Sequence, residues 1–395
     1  MKIVLFPSSY PPVGGGVQEV AFRLAKEFEK KGHDVTVITQ RYPRRLKRTE
    51  TIEGIRVNRI LFPNLVPSGF GISIWVKYAL GLILAPFSFL RLLWLLKREK
   101  PEAVYVHFVG IGSLYLLASR PFVNFRLIVT LHGDDVEGLP FRNRFNRWLL
   151  EKVCTSADFI TACSTDLLKK GREICPLIRQ KSMAIHNGLN LEDYQEIKRF
   201  EHRVPYIFAA GRFEQKKGFD VVIKAFRLLR EKGCGHDLVI AGDGPELENC
   251  MRLAERLAIP YSPPGERALH GRQSIAFWGW ATREMMRSLL AGSQLLVVPS
   301  RREPFGLVVL EGLASGTAVV ASNVGGIPEI LSNGCGLLVP PGDEVVLAEA
   351  MERVVRDKDM RETMVTAGKK RAQDFSWENV AMTYLNLSGS NQPPR

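Results

Sequence analysis

One arrangement of residues occurs twice in this chain, and it limits the fold more than any other feature. The apolar run "KIVLF" (residues 2–6) leads through Gly14, Gly15 and Gly16 into the amphipathic stretch "VQEVAFRLAKEFEKKG", and then into a second apolar run, "DVTVIT". Residues 205–241 repeat the order: "PYIFAAG", the basic turn "RFEQKKG", the amphipathic stretch "FDVVIKAFRLLREKG", then "DLVIAG". Even the joins echo, "KKGHDVTVIT" against "EKGCGHDLVIAG". A short continuous apolar run, a helical period and another apolar run read as a β-α-β unit whose strands are buried on both faces.

Each copy continues in the same style. "AVYVHF", "RLIVTLHG" and "FITACS" follow the first, and "IAFWGW", "LLVVPS" and "AVVAS" the second, all separated by helical stretches. Alternation of this kind predicts parallel sheets covered by helices. The expected architecture is therefore two doubly wound, Rossmann-like α/β domains, residues 1–195 and 196–372. A last helix in 373–395 is expected to pack back on the first domain, ahead of a polar tail. Ligands of such sheets bind outside the carboxyl ends of the strands, so two domains facing one another are expected to form a cleft.

The formal charge is +13, and its distribution says more than its sum. Residues 1–200 hold 30 Lys and Arg against 18 Asp and Glu, whereas residues 201–395 hold 24 against 23. An acidic partner is thus expected to meet the first half. The six cysteines include no C-x-x-C pair and no His at zinc-ligand spacing, so they read as reduced, buried thiols of a cytoplasmic protein. Pro7 cuts the first apolar run too short for a signal peptide. "YALGLILAPFSFLRLLWLL" (78–96) is long enough to raise the question of a membrane span. Pro86, Arg91 and the flanking basic residues make a kinked core helix the first reading and an interfacial amphipathic helix the second, with a span the weakest of the three.

Chemistry concentrates in "EPFGLVVLE", which places Glu303 and Glu311 at the ends of an apolar segment. If a helix starts at Pro304, where a missing N–H costs nothing, Glu303 stands at its mouth beside the amides of Phe305, Gly306 and Leu307. Eight residues of helix would then set the carboxylates about 12 Å apart, too far for a glycosidase pair at about 5–9.5 Å. That separation suits the two ends of an elongated ligand, with helix amides offered between them. Arg212 and Lys217, in "GRFEQKKG", are expected to converge on a diphosphate at the same rim.

These segments, with "GDGPEL", "NVGGIPEI" and "GLLVPPGD" in the second half and "PPVGGGVQEV", "LHGDD" and "HNGLN" in the first, resemble the family 4 glycosyltransferases of the GT-B fold. The resemblance covers nearly the whole chain, and E-x7-E with "PFG" behind its first Glu is its most specific part. It implies a retaining, metal-independent transferase that moves a sugar from a UDP- or GDP-sugar by front-face transfer and needs no cofactor. Glu311 would accept the ribose diol, and Glu303 would hold the donor sugar together with the amides of Phe305, Gly306 and Leu307. Arg212 and Lys217 would stabilise the leaving phosphate, and Gly15 and Gly16 would let the first-domain loop approach the donor. His132 would sit at the active site near the donor sugar, and Asp134, with Asp135 beside it, would orient the acceptor. His186, Asn187 and Gly188 suit a hinge or cleft-lining position. The basic, partly apolar first half points to a lipid-linked acceptor met at an anionic membrane surface.

Competing classes explain less. A dinucleotide-dependent dehydrogenase needs G-x-G-x-x-G and an acid after the second strand, and "GGGVQE" and "VITQR" supply neither. A nucleic-acid-binding module leaves Arg212, Lys217, Glu303 and Glu311 without a task, so no nucleic-acid partner is expected. A sugar-nucleotide epimerase shares the fold but not the implied transfer motif. One departure from the family pattern is "YSPPGERALHGRQS", a long turn-rich loop expected near the nucleotide pocket, which leaves the base contacts open.

Overall fold

In the computed structural model, which describes residues 1–63, 72–266 and 273–389, the chain divides into two units. The first is Met1–Gly188 with the segment from Trp377 onward, and the second is Leu189–Ser376. Against the expected spans 1–195 and 373–395, the first unit ends seven residues earlier and the return begins four residues later. Gly188, expected at a hinge, lies close against Trp377, which leaves no room for a Cβ.

The first sheet has eight strands: β1 (Lys2–Pro7), β2 (Asp34–Gln40), β3 (Thr49–Ile52), β4 (Ile55–Ile60), β5 (Ala103–His107), β6 (Arg126–Leu131), β7 (Phe159–Ala162) and β8 (Ser182–Ala184). Their order is β3-β4-β2-β1-β5-β6-β7-β8. All pairings are parallel except β3 with β4, an edge hairpin closed by Glu53 and Gly54, both at positive φ. Its helices are α1 (Gly16–Lys30), α2 (Ile72–Glu99), α3 (Ile111–Ser119), the short α4 (Asp134–Glu137) and α5 (Leu139–Arg142), α6 (Arg144–Ser156) and α7 (Thr165–Ile174).

The second sheet orders β11 (Tyr261–Ser262), β12 (Ile275–Gly279), β10 (Asp237–Ala241), β9 (Tyr206–Ala210), β13 (Leu295–Val298), β14 (Ala318–Ser322) and β15 (Leu337–Val339), all parallel. Every residue of β9, β10, β13 and β14 is buried, which is why these strands read as unbroken apolar runs. Helices α8 (Phe219–Glu231), α9 (Leu247–Arg256), α10 (Arg283–Gly292), α11 (Leu307–Ser315), α12 (Ile327–Ile330), α13 (Glu344–Arg356) and α14 (Lys358–Ala372) accompany it. The loop that departs from the family pattern opens with β11, which extends the sheet edge beside β12; its residues 267–272 lie outside the described residues.

The final helix, α15 (Trp377–Gly389), belongs to the first unit because its apolar residues fall on one face. Trp377, Val380, Ala381, Tyr384 and Leu385 are buried at helical spacing and join the core of α1, β1 and β5. Tyr384 shares hydrogen-bond distance with Thr130 (3.2 Å) and Thr161 (3.3 Å), and its carbonyl accepts from Tyr105 (3.0 Å).

Helix α2 corrects an expectation. Of its most apolar window within Ala79–Glu99 only 28% is buried, so it is not a core helix. Leu80, Ile83, Phe87, Leu90 and Trp94 are exposed on it.

Candidate active site

In a doubly wound sheet the ligand crevice opens where the strand order reverses. In the second sheet that point lies between β9 and β13, and the loops leaving them are "GRFEQKKG" and "PSRREPFG". Arg301 laces the two together. Its guanidinium takes both oxygens of Asp220 at 2.7 Å and the Gln215 carbonyl at 3.0 Å. The amides of Arg301 and Arg302 donate to the Lys216 carbonyl at 2.8 and 3.2 Å. Burial alone would push Asp220 up, but the hydrogen bonds and charge of Arg301 outweigh it and hold the carboxyl below its usual range. Gly218, at φ 68°, allows the approach, since a Cβ there would collide with the Pro299 carbonyl.

This lacing delivers Lys217 to Glu303. The ammonium Nζ donates to Glu303 Oε2 at 2.6 Å, and Ser300 donates to the same oxygen at 3.5 Å. Glu303 is buried and Lys217 mostly so, with side-chain exposures of 9% and 22%. Two of the three ammonium protons are left for other acceptors. Arg212 does not join them. Its side chain is 71% exposed and lies 3.1 Å from Glu214, which also holds Lys216 at 3.0 Å. The expected convergence of Arg212 and Lys217 is therefore absent. An exposed pair of this kind is worth about 0–1 kcal/mol, so Arg212 can leave Glu214 at little cost.

The segment behind Glu303 also differs from expectation. Helix α11 starts at Leu307, with Gly306 as its N-cap at φ 107°, so Pro304 is not its first residue. Glu303 therefore lies four residues ahead of the helix, and the spacing of about 12 Å, derived from eight helical residues, does not apply to it. The cause is tertiary: the Gly326 amide donates to the Glu303 carbonyl at 3.2 Å, while Gly325, at φ 56°, comes so close that a Cβ would strike that carbonyl. Phe305 and Gly306 are buried in the turn, Leu307 and Glu311 half-buried on the helix. The amides of Val309 and Leu310 donate to the Gly306 carbonyl at 2.9 and 3.3 Å, and those of Leu307 and Val308 precede the first bond of the helix.

A second backbone contact supports the β9 loop. The Phe213 amide donates to the Asp243 carbonyl at 2.9 Å, and the Glu246 amide to the Phe213 carbonyl at 3.0 Å. Gly242 and Gly244 permit it, because a Cβ at either would collide with the backbone of Gly211 or Phe213. Arg301, Asp220, Gly242, Gly244 and Gly325 were not singled out from the sequence. The glycines of "GDGPEL" and "NVGG", each just past a buried strand, were the available signal.

The residues expected at the crevice of the first unit are glycines and buried side chains, with Asp134 the exposed exception. Gly15, at φ 151°, caps α1 without a side-chain bond, and Gly16 opens the helix; both are exposed beside the reversal between β1 and β5. His132 follows β6 and is 9% exposed, with Nε2 3.0 Å from Nδ1 of the fully buried His107. Burial pushes His132 down to about 3, and burial followed by the neighbouring His132 pushes His107 well below the usual range. Both rings are neutral near pH 7, and Nε2 of His132 is engaged inside the protein. Asp135 turns inward and accepts from the amides of His132 (3.0 Å), Gly133 (2.8 Å) and Val109 (3.2 Å). Burial raises it to about 6 against those bonds. Asp135 is thus the anion that shapes this loop rather than a group for the acceptor, while Asp134 beside it is exposed.

Two Rossmann-like α/β domains, the second with a lysine and a glutamate joined at its strand-order reversal, define a GT-B glycosyltransferase. The chain belongs to the family 4 glycosyltransferases: residues 14–193 match the model described as Glycosyltransferase Family 4, and residues 191–371 the one described as Glycosyl transferases group 1. An uncharacterized glycosyltransferase of Methanocaldococcus jannaschii is 27% identical, covering 98% of this chain and 97% of its own. N-acetyl-alpha-D-glucosaminyl L-malate synthase of Bacillus anthracis is 24% identical over 98% and 97%. The capsular polysaccharide biosynthesis glycosyltransferase CapM of Staphylococcus aureus is 25% identical over 75% and 80%. Among solved structures, Anabaena HepE in complex with UDP-glucose superposes with a TM-score of 0.73 at 18% identity, covering 97% of this chain and 98% of that one.

Proposed function

We propose that this transferase moves a sugar from a UDP- or GDP-sugar to a hydroxyl of a lipid-linked saccharide or similar glycan precursor of the cell envelope. Transfer retains the donor's anomeric configuration and requires no metal ion. The observation that carries the reading is the Lys217–Glu303 contact in the turn ahead of α11, at the strand-order reversal. The HepE complex with UDP-glucose supports a nucleotide-sugar donor, and CapM supports a role in envelope polysaccharide.

In this reading Glu311 accepts the ribose diol, and Glu303 with the amides of Phe305, Gly306 and Leu307 holds the sugar hydroxyls. As the bond from the anomeric carbon to the phosphate oxygen breaks, negative charge grows on that phosphate. Lys217 meets it with its remaining protons, and Arg212 joins after leaving Glu214. The acceptor hydroxyl attacks from the same face and passes its proton to the leaving phosphate oxygen. These cations supply the electrostatic role that a metal serves elsewhere. His132, neutral at physiological pH, positions the sugar rather than exchanging protons; Gly15 and Gly16 admit the donor, and Asp134 orients the acceptor. The enzyme works in the cytoplasm, peripherally at the membrane.

A soluble acceptor is the second reading, favoured by the full-length match to a protein named as an L-malate synthase. A thermal-shift screen of nucleotide sugars, followed by mass spectrometry of products formed from lipid extracts and from small hydroxy acids, tests both. The proposal expects one UDP- or GDP-sugar to raise Tm and its sugar to appear on a lipid. Product on a hydroxy acid alone selects the second reading, and no shift with any nucleotide sugar overturns the donor site.

A further inference from the structure

Helix α2 is far longer than the sheet it covers. Its 28 residues span about 42 Å, roughly twice the length of the strands beneath it. Its second half lies on the sheet: Leu92, Leu95 and Leu96 are buried, and Glu99 reaches Thr36 (3.4 Å) and Arg56 (3.5 Å) near the amino ends of β2 and β4. Ser88 donates to the Leu61 carbonyl at 2.6 Å, just past the carboxyl end of β4. The residues before Ser88 therefore project beyond the carboxyl edge, and from Ala79 to Phe87 Gly81 alone is buried. Leu80, Ile83, Phe87, Leu90 and Trp94, each between 49% and 68% exposed, follow steps of three and four and form one stripe. Arg91 and Arg98 stack over Trp94 at 4.7 Å each, an arrangement that suits a helix lying in a polar–apolar boundary rather than one crossing it.

Beside this overhang stands a ridge of cations. The Arg41 amide donates to the Ile60 carbonyl at 2.8 Å, and Gln40 exchanges hydrogen bonds with the Phe62 backbone, so the loop after β2 starts where the chain leads toward α2. Arg44, Arg45, Lys47 and Arg48 are exposed, and their side chains have no carboxylate partner among the described residues. The loop is held in place by Arg59, a guanidinium with no side-chain exposure. Arg59 pairs with Glu50 and donates to the carbonyls of Lys47 (3.4 Å) and Pro11 (2.6 Å).

We infer that the overhanging half of α2 and the basic loop 41–48 form a docking edge for a bilayer surface rich in anionic lipid. The apolar stripe lies among the acyl chains just below the headgroups, and the loop meets lipid phosphates. The charge of the ridge and the width of the stripe select this occupant over a second copy of an equally basic chain. The inference deepens the lipid-linked acceptor reading and rests on it for its purpose, since it brings the ligand-binding edge of the first sheet to the membrane.

Flotation of the full chain with phosphatidylcholine vesicles, with and without phosphatidylglycerol, tests it. The wild type is expected to float with the anionic vesicles and to be released by high salt. Ile83→Asn with Phe87→Asn should abolish flotation, and Arg44→Gln with Arg45→Gln should weaken it about 10- to 30-fold on anionic vesicles only. Both double variants should keep the wild-type Tm shift with the donor, which shows them folded. No flotation of the wild type, flotation indifferent to both variants, or a wild-type dimer that Ile83→Asn with Phe87→Asn turns into a monomer would each overturn the docking edge. Because the donor shift is read separately, its presence without flotation sinks this inference alone, and its absence with flotation sinks the donor site instead.

Discussion

The two units share a topology and hold their loops by opposite means. At the carboxyl edge of the second sheet, cations and carboxylates are linked pair by pair: Arg301 to Asp220, Lys217 to Glu303, Arg212 to Glu214. At the same edge of the first sheet the buried groups are two neutral imidazoles and a carboxylate wrapped in backbone amides. A site that stabilises a leaving phosphate needs charge available at the moment of reaction, whereas a site that positions a hydroxyl needs shape. Cations confined to the first unit's surface, as in the loop 41–48, suit a partner outside the active site.

Four changes break or sharpen this contrast. The largest effect is expected from Lys217→Ala, which removes the cation proposed to meet the leaving phosphate and strands Glu303; steady-state kinetics should show kcat lower by about 10²- to 10³-fold. Next is Gly325→Ala, which sets a Cβ against the Glu303 carbonyl at a left-handed backbone position. Chemical denaturation should register a loss of about 2–4 kcal/mol. In the first unit the effect is one of pH. His132 and His107 titrate lower folded than unfolded, so the unfolded chain binds more protons below about 6.5, and stability falls as pH falls. Each imidazole contributes up to about 1.4 kcal/mol per pH unit in that window. Asp135, raised to about 6, acts in the other sense between its unfolded value and 6 and offsets about one of the two. Denaturation curves from pH 7 to pH 5 for His132→Gln should therefore be flatter than for the wild type. The smallest change is Arg301→Lys, which loses the two-pronged hold on Asp220 and should weaken donor binding by about fivefold, read by calorimetry.

Much of the fold was legible because its parallel strands are buried on both faces: β9, β10, β13 and β14 stand where the apolar runs lie. What could not be read were consequences of distant contacts. Nothing local to "EPFG" reveals that Gly325 and Gly326, twenty residues on, hold it out of the helix and delay α11 to Leu307. Nothing in "GRFEQKKG" decides that Lys217 turns to Glu303 while Arg212 turns to Glu214. The exposure of α2 was hidden for a related reason: composition reports that a helix is apolar, and only the lengths of its neighbouring strands report how much of it they cover.

The central claim is that the second unit measures the donor, Glu311 at the ribose end and Glu303 at the sugar end. Calorimetric titration of the selected nucleotide sugar, and of its nucleoside diphosphate alone, into Glu311→Ala and Glu303→Ala tests it directly. Glu311→Ala is expected to weaken both ligands alike, whereas Glu303→Ala should bind the nucleoside diphosphate as the wild type does and lose the added affinity for the sugar. A Glu303→Ala protein that loses the nucleoside diphosphate, beside a Glu311→Ala protein that binds both normally, would contradict the assignment.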